Sequence, residues 1–238
     1  MTSVAETAGR PTESAEQPVE KALEARSLYR FFRAGEEETL ALQGVSLSLA
    51  PGEFVAVSGP SGSGKSTLLS CLAGLDEPDG GTVLIGGRRI SHQPEPARAR
   101  LRARHIGVLF QSANLFEHLT VEGNVSLSQG LAKKEHRADR GELLESVGLS
   151  ARSHAYPSEL SGGESARAGL ALALANDPIV LLADEPTGEL DSATEAQILD
   201  LLVSRARAGA AVLVASHSPA VAAIADRVIR LTDGRIQS

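Results

Sequence analysis

From Phe54 the chain runs through a short apolar stretch, Phe54 to Val57, into Gly59-Pro60-Ser61-Gly62-Ser63-Gly64-Lys65-Ser66, and on into a helical pattern, Lys65 to Leu72. Nothing else in the chain narrows the fold so far, because G-x-x-x-x-G-K-[ST] carries meaning only between a strand and a helix. The glycines permit a tight turn whose N–H groups converge, and the helix start adds positive partial charge at the same place. Such a loop cradles phosphate oxygens. Lys65 is then set to reach the β and γ phosphates of a nucleotide, and the Ser66 hydroxyl to ligate Mg²⁺. Chance yields the four fixed positions in roughly one chain in a hundred of this length, before the context is counted. A fortuitous glycine-rich turn is the competing reading.

Glu24 to Phe32 and Thr39 to Leu49 carry strand patterns around the acidic turn Ala34 to Glu38, and Val45, Leu47 and Leu49 alternate with Ser46 and Ser48. Short strands are expected at Thr82 to Ile85, Ile106 to Phe110, Ile179 to Ala183, Ala211 to Ala215 and Arg227 to Leu231, the last closed by Asp233-Gly234. Helical patterns separate them, with Ser192 to Ala206 the longest and Arg140 to Val147 the clearest amphipathic piece. Alternation of this kind implies an α/β sheet with parallel neighbours. The helical stretch between about Ser112 and Leu160 is an insertion within it.

Composition excludes several classes. Aromatic residues are only 3%, so the core must rest on Leu, Val, Ile and Ala. A formal net charge of -7 argues against a phosphate backbone as main partner. The single cysteine, Cys71, allows no intrachain disulfide and no thiolate metal cage. The first 22 residues lack the basic start and apolar run of a secretory signal and are too polar to fold alone, so a flexible tail is expected there. Ala208 to Ala225 holds 18 residues without formal charge, yet Ser216-His217-Ser218-Pro219 interrupts it, which favours a strand, a turn and a short helix over a membrane span.

Two further places carry chemistry. The apolar run Ile179 to Ala183 ends in Asp184 and Glu185. Asp184 there would hold Mg²⁺ through its water shell, leaving Glu185 to polarise an attacking water. The alternative is a pair that merely caps a helix after Pro186. Leu160-Ser161-Gly162-Gly163-Glu164 precedes a helix expected at Ser165 to Ala175, which makes a second anion site or an ordinary serine cap.

Taken in order, G-P-S-G-S-G-K-S-T, Gln111 after I-G-V-L-F, L-S-G-G-E, L-L-A-D-E-P-T-G, L-D and S-H resemble the ATP-binding subunit of ABC transporters over about residues 24 to 236. The stretches N-L-F-E-H-L-T and A-D-E-P-T-G-E-L-D are most similar to the lipoprotein-release, macrolide-export and cell-division branch. The resemblance implies an α/β phosphate-loop ATPase core with a parallel sheet, an antiparallel β subdomain and a helical subdomain at about 112–165, all within 24–238 after a tail of 1–23. It implies ATP and Mg²⁺ on the loop from Gly59 to Thr67, and a head-to-tail homodimer in which Ser161, Gly162 and Gly163 meet the ATP on the partner's Lys65 loop. By the same resemblance Gln111 senses Mg²⁺ and faces a permease, Asp191 crosses the dimer interface, and His217 touches the γ-phosphate. Glu185, His217, Lys65 and Gln111 are then the catalytic set, with Ser66, Gln111 and Asp184 at the metal. The subunit would sit in the cytoplasm, held to the membrane by an integral permease and not by insertion.

Adenine is expected to stack on Phe32, with Phe31 or Tyr29 as alternatives and core packing as the bland reading. Arg98, Arg100, Arg102 and Arg104 read as a solvated helix face, and Cys71 as core. His92, His105, His118, His136 and His154 show no ligand spacing. Three positions depart from the family pattern: Glu164 in place of glutamine, Glu189 in place of asparagine and Leu172 in place of arginine. None removes a phosphate or Mg²⁺ ligand. A regulatory or mechanical ATPase signalling through a membrane partner is the second functional reading. A DNA-repair or translation ATPase is the third, and the chain lacks the zinc or coiled-coil insertion and second cassette that mark it.

Overall fold

The computed structural model describes residues 21–34, 37–110, 114–132, 138–188 and 190–237. Residues 1–20 of the expected tail, the tip of the acidic turn, Gln111 and Glu189 lie outside the described residues. Ala22 and Leu23, also expected in the tail, are instead buried, because the Ala22 N–H donates to the Leu49 carbonyl and Leu23 opens the first strand.

Two sheets form. In the first, β1 (Leu23–Ala34) pairs antiparallel with β2 (Glu37–Leu49) and with β4 (Gly80–Ile85), which in turn pairs with β5 (Arg88–Arg89). The second has the order β10-β9-β3-β8-β7-β6, built from β3 (Phe54–Ser58), β6 (Ile106–Leu109), β7 (Val180–Asp184), β8 (Ala211–Ala215), β9 (Arg227–Thr232) and β10 (Arg235–Gln237). The neighbours from β9 to β6 are parallel, as expected. The edge strand β10 was not expected, and it pairs antiparallel with β9 through the Asp233-Gly234 turn.

The central strands are buried on both faces, so their side chains alternate between two cores. Val55, Val57, Val180, Leu182 and Leu213 pack with the antiparallel sheet and with Leu68 and Leu72 of α1 (Lys65–Leu72). Phe54, Ala56, Leu181, Ala183, Val212 and Val214 pack on the other side against α3 (Val121–Ala132), α4 (Arg140–Ser146), α5 (Gly162–Leu174) and α6 (Ser192–Arg207). Cys71 is buried in the first core. Ala208 to Ala225 resolves into the end of a helical turn, β8 and the short helix α7 (Pro219–Ile224). Among the described residues no helix is long and apolar enough to cross a membrane.

Two expectations change. The arginine run does lie on a helix, α2 (Glu95–His105), but it is not simply a solvated face. Arg98 pairs with Glu77 and Glu95, and Arg102 reaches Glu95 and the Gly74 carbonyl, so both are mostly covered. The helix after L-S-G-G-E begins at Gly162, not Ser165, because Ser161 and Glu164 form a reciprocal cap.

In the inserted helical part, buried Asn124 holds the preceding loop. Its amide donates to the carbonyls of Phe116, Leu119 and Thr120, and its Oδ1 accepts the Phe116 N–H at 2.7 Å. Phe116 is thereby left 51% exposed.

Candidate nucleotide-binding and hydrolysis site

The strand β3 delivers the chain into the loop Gly59 to Gly64, and α1 leaves it. Gly64 adopts φ of 102°, and a Cβ there would lie 2.4 Å from the Ala41 carbonyl, so only glycine fits. Lys65 donates to the carbonyls of Gly59 at 2.8 Å and Pro60 at 3.1 Å, folded back across its own loop. Ser63 is buried, with its N–H on the Pro60 carbonyl and its carbonyl accepting from Gly234.

The loop opens into a cleft of about 830 Å³ lined by Phe32, Gly59 to Gly62, Gly64 to Thr67, Asp184, Glu185 and His217. Residues from four distant parts of the chain therefore meet at one place. Thr39 to Ala41, Gln43 and Gly188, which sequence reasoning did not single out as site residues, and Asp233 and Gly234, which it read only as a turn, complete its walls. Phe32 alone of the three candidate aromatics is among the lining residues. The Arg30 guanidinium lies 4.7 Å over its ring and is itself fixed by Asp76 and Asp79. One ring face is thus already stacked by a cation.

At the end of β7, Asp184 has a buried Oδ1 without a hydrogen-bond partner. A buried carboxylate oxygen left unpaired is costly unless a cation or its water shell completes it. With the Ser66 hydroxyl in the same cleft, the donor set is all oxygen and fits Mg²⁺.

Glu185 is held in a left-handed conformation, φ 45°, a cost of about 1–3 kcal/mol that clusters at functional positions. Its N–H donates to the Ala215 carbonyl, which ties it to the end of β8. Its carboxylate accepts the Ser216 hydroxyl at 3.0 Å and lies 3.0 Å from Nδ1 of His217. Glu185 does not cap a helix: the next one, α6, is capped by Asp191, which accepts from the N–H groups of Ala193 and Thr194. Hydrogen bonds from the Thr194 hydroxyl and N–H hold the Asp191 carboxyl below its usual range. The role of Ser216 was not visible beforehand, although its place beside His217 was the available signal.

Ser161, Gly162 and Gly163 are not among the residues lining this cleft; they form the head of α5. The Ser161 hydroxyl accepts the Glu164 N–H, and Glu164 accepts the Ser161 N–H at 2.9 Å. Glu164 also receives Arg152 at 2.8 Å. Chiefly through that guanidinium, and then the Ser161 N–H, its carboxyl is held at about 2.

The ABC transporter family model matches residues 42–188. An ABC transporter ATP-binding protein of Thermotoga maritima is 42% identical over 222 residues, covering 92% of this chain and 95% of that protein. The chain belongs to the ABC transporter family. As a member of that family it is an ATP-binding cassette that hydrolyses ATP, with Mg²⁺ as the accompanying cation. The macrolide export ATP-binding/permease protein MacB of Shigella flexneri is 42% identical over 217 residues, but this ABC cassette spans only 34% of its length. Two solved structures share the fold at a TM-score of 0.84: a dimeric post-hydrolysis state of the cassette MJ0796 bound to ADP and Pi, 34% identical, and a dimer of the same cassette, 35% identical. Each covers 91% of this chain.

Proposed function

We propose that two copies of this cassette pair head to tail around two ATP molecules and drive a separate integral membrane permease from the cytoplasmic side. The observation that carries this is the division of the site. The cleft holds the phosphate loop, Asp184, Glu185 and His217, while the second anion-type element, Ser161 to Gly163, lies outside it. A second copy supplies that element to the open side. The dimeric structures of MJ0796 support the pairing, and the ATP-binding/permease protein MacB supports the membrane partner. The cassette unit runs over about 24–238, with its helical part at about 112–165.

In this reading Phe32 stacks the adenine and the N–H groups of Gly59 to Thr67 take the phosphates. Lys65 exchanges its loop carbonyls for phosphate oxygens. Glu185 accepts a proton from the attacking water, and His217 and the partner's signature serine meet the γ-phosphate. Ser66 and the water shell of Asp184 would hold Mg²⁺, as Gln111 would by the family resemblance, and the cation would supply charge neutralisation for phosphoryl transfer. Sedimentation of the Glu185→Gln protein tests the pairing: dimer with ATP and monomer with ADP is expected, and a monomer under both conditions overturns it.

The permease contact falls near Gln111 to Leu119, where Phe116 stands out from the loop that Asn124 holds. The protein should be recovered with membranes when its permease is co-expressed, and Phe116→Asp should lower that fraction. Recovery with membranes in cells lacking any permease would point to direct lipid binding instead.

Glu164 tunes closure. Its depressed carboxyl contributes to the cap fully above the ordinary value of 4.5 and loses that contribution as pH falls toward about 2, so the cap is intact at neutral pH. Glutamine keeps the acceptor for the Ser161 N–H, so the melting temperature of Glu164→Gln should barely change. It removes one negative charge and releases Arg152 beside the element that meets the partner's ATP. ATP-driven dimerisation in a Glu185→Gln background should therefore strengthen at low salt. The difference should vanish near 1 M, where the Debye length is about 3 Å. Equal dimerisation at low salt would remove Glu164 from the closure step.

A further inference from the structure

We infer that Glu195 is a positioning residue for hydrolysis, joining the two turns that carry Glu185 and His217. This rests on the reading of Glu185 as the base. Glu195 sits in the first turn of α6, and its Oε1 accepts two hydroxyls, Thr187 at 3.2 Å and Ser218 at 2.8 Å. Thr187 is buried and follows Glu185 by two residues, while Ser218 directly follows His217. The Ser218 N–H in turn donates to Ser216 Oγ at 3.1 Å, and the Ser216 hydroxyl donates to Glu185 at 3.0 Å. One carboxylate oxygen therefore anchors both sides of the Glu185–His217 contact from behind, without touching the cleft.

The anchor is itself fixed. Asp191 caps the helix at the preceding turn, and Thr194 fills the space beside Gly163 so closely that a Cβ there would lie 2.9 Å from its methyl. Loss of the Glu195 acceptor leaves two hydroxyls to find other partners and lets the two turns separate. The carboxylate at Glu185 stays in place chemically but loses its aim, and hydrolytic groups are sensitive to aim: a displacement of about 1 Å can cost 10²-fold.

The test is steady-state ATP hydrolysis by the full chain with Mg²⁺-ATP, resolved into kcat and KM, for Glu195→Ala, Glu195→Gln and Glu185→Gln. Glu195→Ala should lower kcat roughly tenfold with KM for ATP within about twofold, the split of a residue that acts on the chemical step. Glu195→Gln keeps an oxygen acceptor and should recover most of the rate. An unchanged kcat in Glu195→Ala beside an inactive Glu185→Gln overturns the inference and leaves Glu185 as base. A Glu195→Gln protein as slow as Glu195→Ala, or a defect confined to KM, also overturns it. A Glu185→Gln protein that hydrolyses at the parent rate removes the base reading and this inference with it. Should Glu195→Ala not fold, the near-isosteric Thr187→Val carries the test: roughly a threefold fall in kcat is expected for the loss of one of two anchoring bonds, and no fall overturns the role.

Discussion

The Glu185→Gln protein is expected to bind ATP as tightly as its parent and to hydrolyse it at least ~10²-fold more slowly, the lower end of what a positioned general base contributes. At about 1.36 kcal/mol per tenfold this is about 2.7 kcal/mol of barrier or more. The substitution is nearly isosteric. An amide oxygen still accepts the Ser216 hydroxyl, so the turn keeps its shape. Asp184, with its unpaired Oδ1, and the loop from Gly59 to Thr67 are untouched, so binding and metal retention persist. What disappears is the capacity to take a proton. With closure intact and its exit blocked, the ATP-bound dimer should accumulate. Single-turnover rates measured after rapid mixing settle the matter: a rate within threefold of the parent would deny Glu185 its role.

The Phe32→Ala protein should bind ATP about 1–3 kcal/mol more weakly, the usual worth of one base on an aromatic ring, which is roughly 5- to 150-fold in dissociation constant. Arg30 occupies one face of the ring, so the base would stack on the other. Neither Phe31 nor Tyr29 is among the residues lining the cleft, and Tyr29 packs over Gly44 and Gly80. Fluorescent-nucleotide titration of the three alanine variants checks the assignment. Unchanged binding in Phe32→Ala with weakened binding in Phe31→Ala or Tyr29→Ala would move the stacking position along β1.

What was legible in the chain was local. β3 and β8 follow from short apolar runs and α1 from its place after the glycine-rich loop, and the structure places them within a residue of expectation. The phosphate loop, Asp184 and Glu185 stand out in the sequence because the chemistry expected of them demands residue types at fixed spacing, and the structure brings them to one cleft. α2 was harder to delimit: it buries no residue completely, so no apolar stripe marks its ends. The start of α5 was placed late because two glycines are poor helix formers, although S-x-x-E at Ser161 and Glu164 was a capping signal. The hydrogen bonds that aim Glu185 and His217 were out of reach. Ser216 meets Glu185 across 31 positions and Ser218 meets Glu195 across 23, and only the order of strands in the sheet brings such pairs together.

The turn between β9 and β10 has a consequence for truncated chains. Gly234 accepts the Gln43 N–H and donates to the Ser63 carbonyl, and Gln43 also reaches Asp233 and Arg235. The sheet that presents Phe32 is thus latched to the phosphate loop by residues that follow every helix and all but one short strand of the described fold. Without that turn the Phe32 side of the cleft would lack its fastening to the phosphate loop. A released chain truncated before Asp233 would keep β3 between β8 and β9, and with it the phosphate loop, but would lose the latch to β2. ATP capture should therefore depend on the latch, and ligand-induced protection from protease should appear only in chains that carry it.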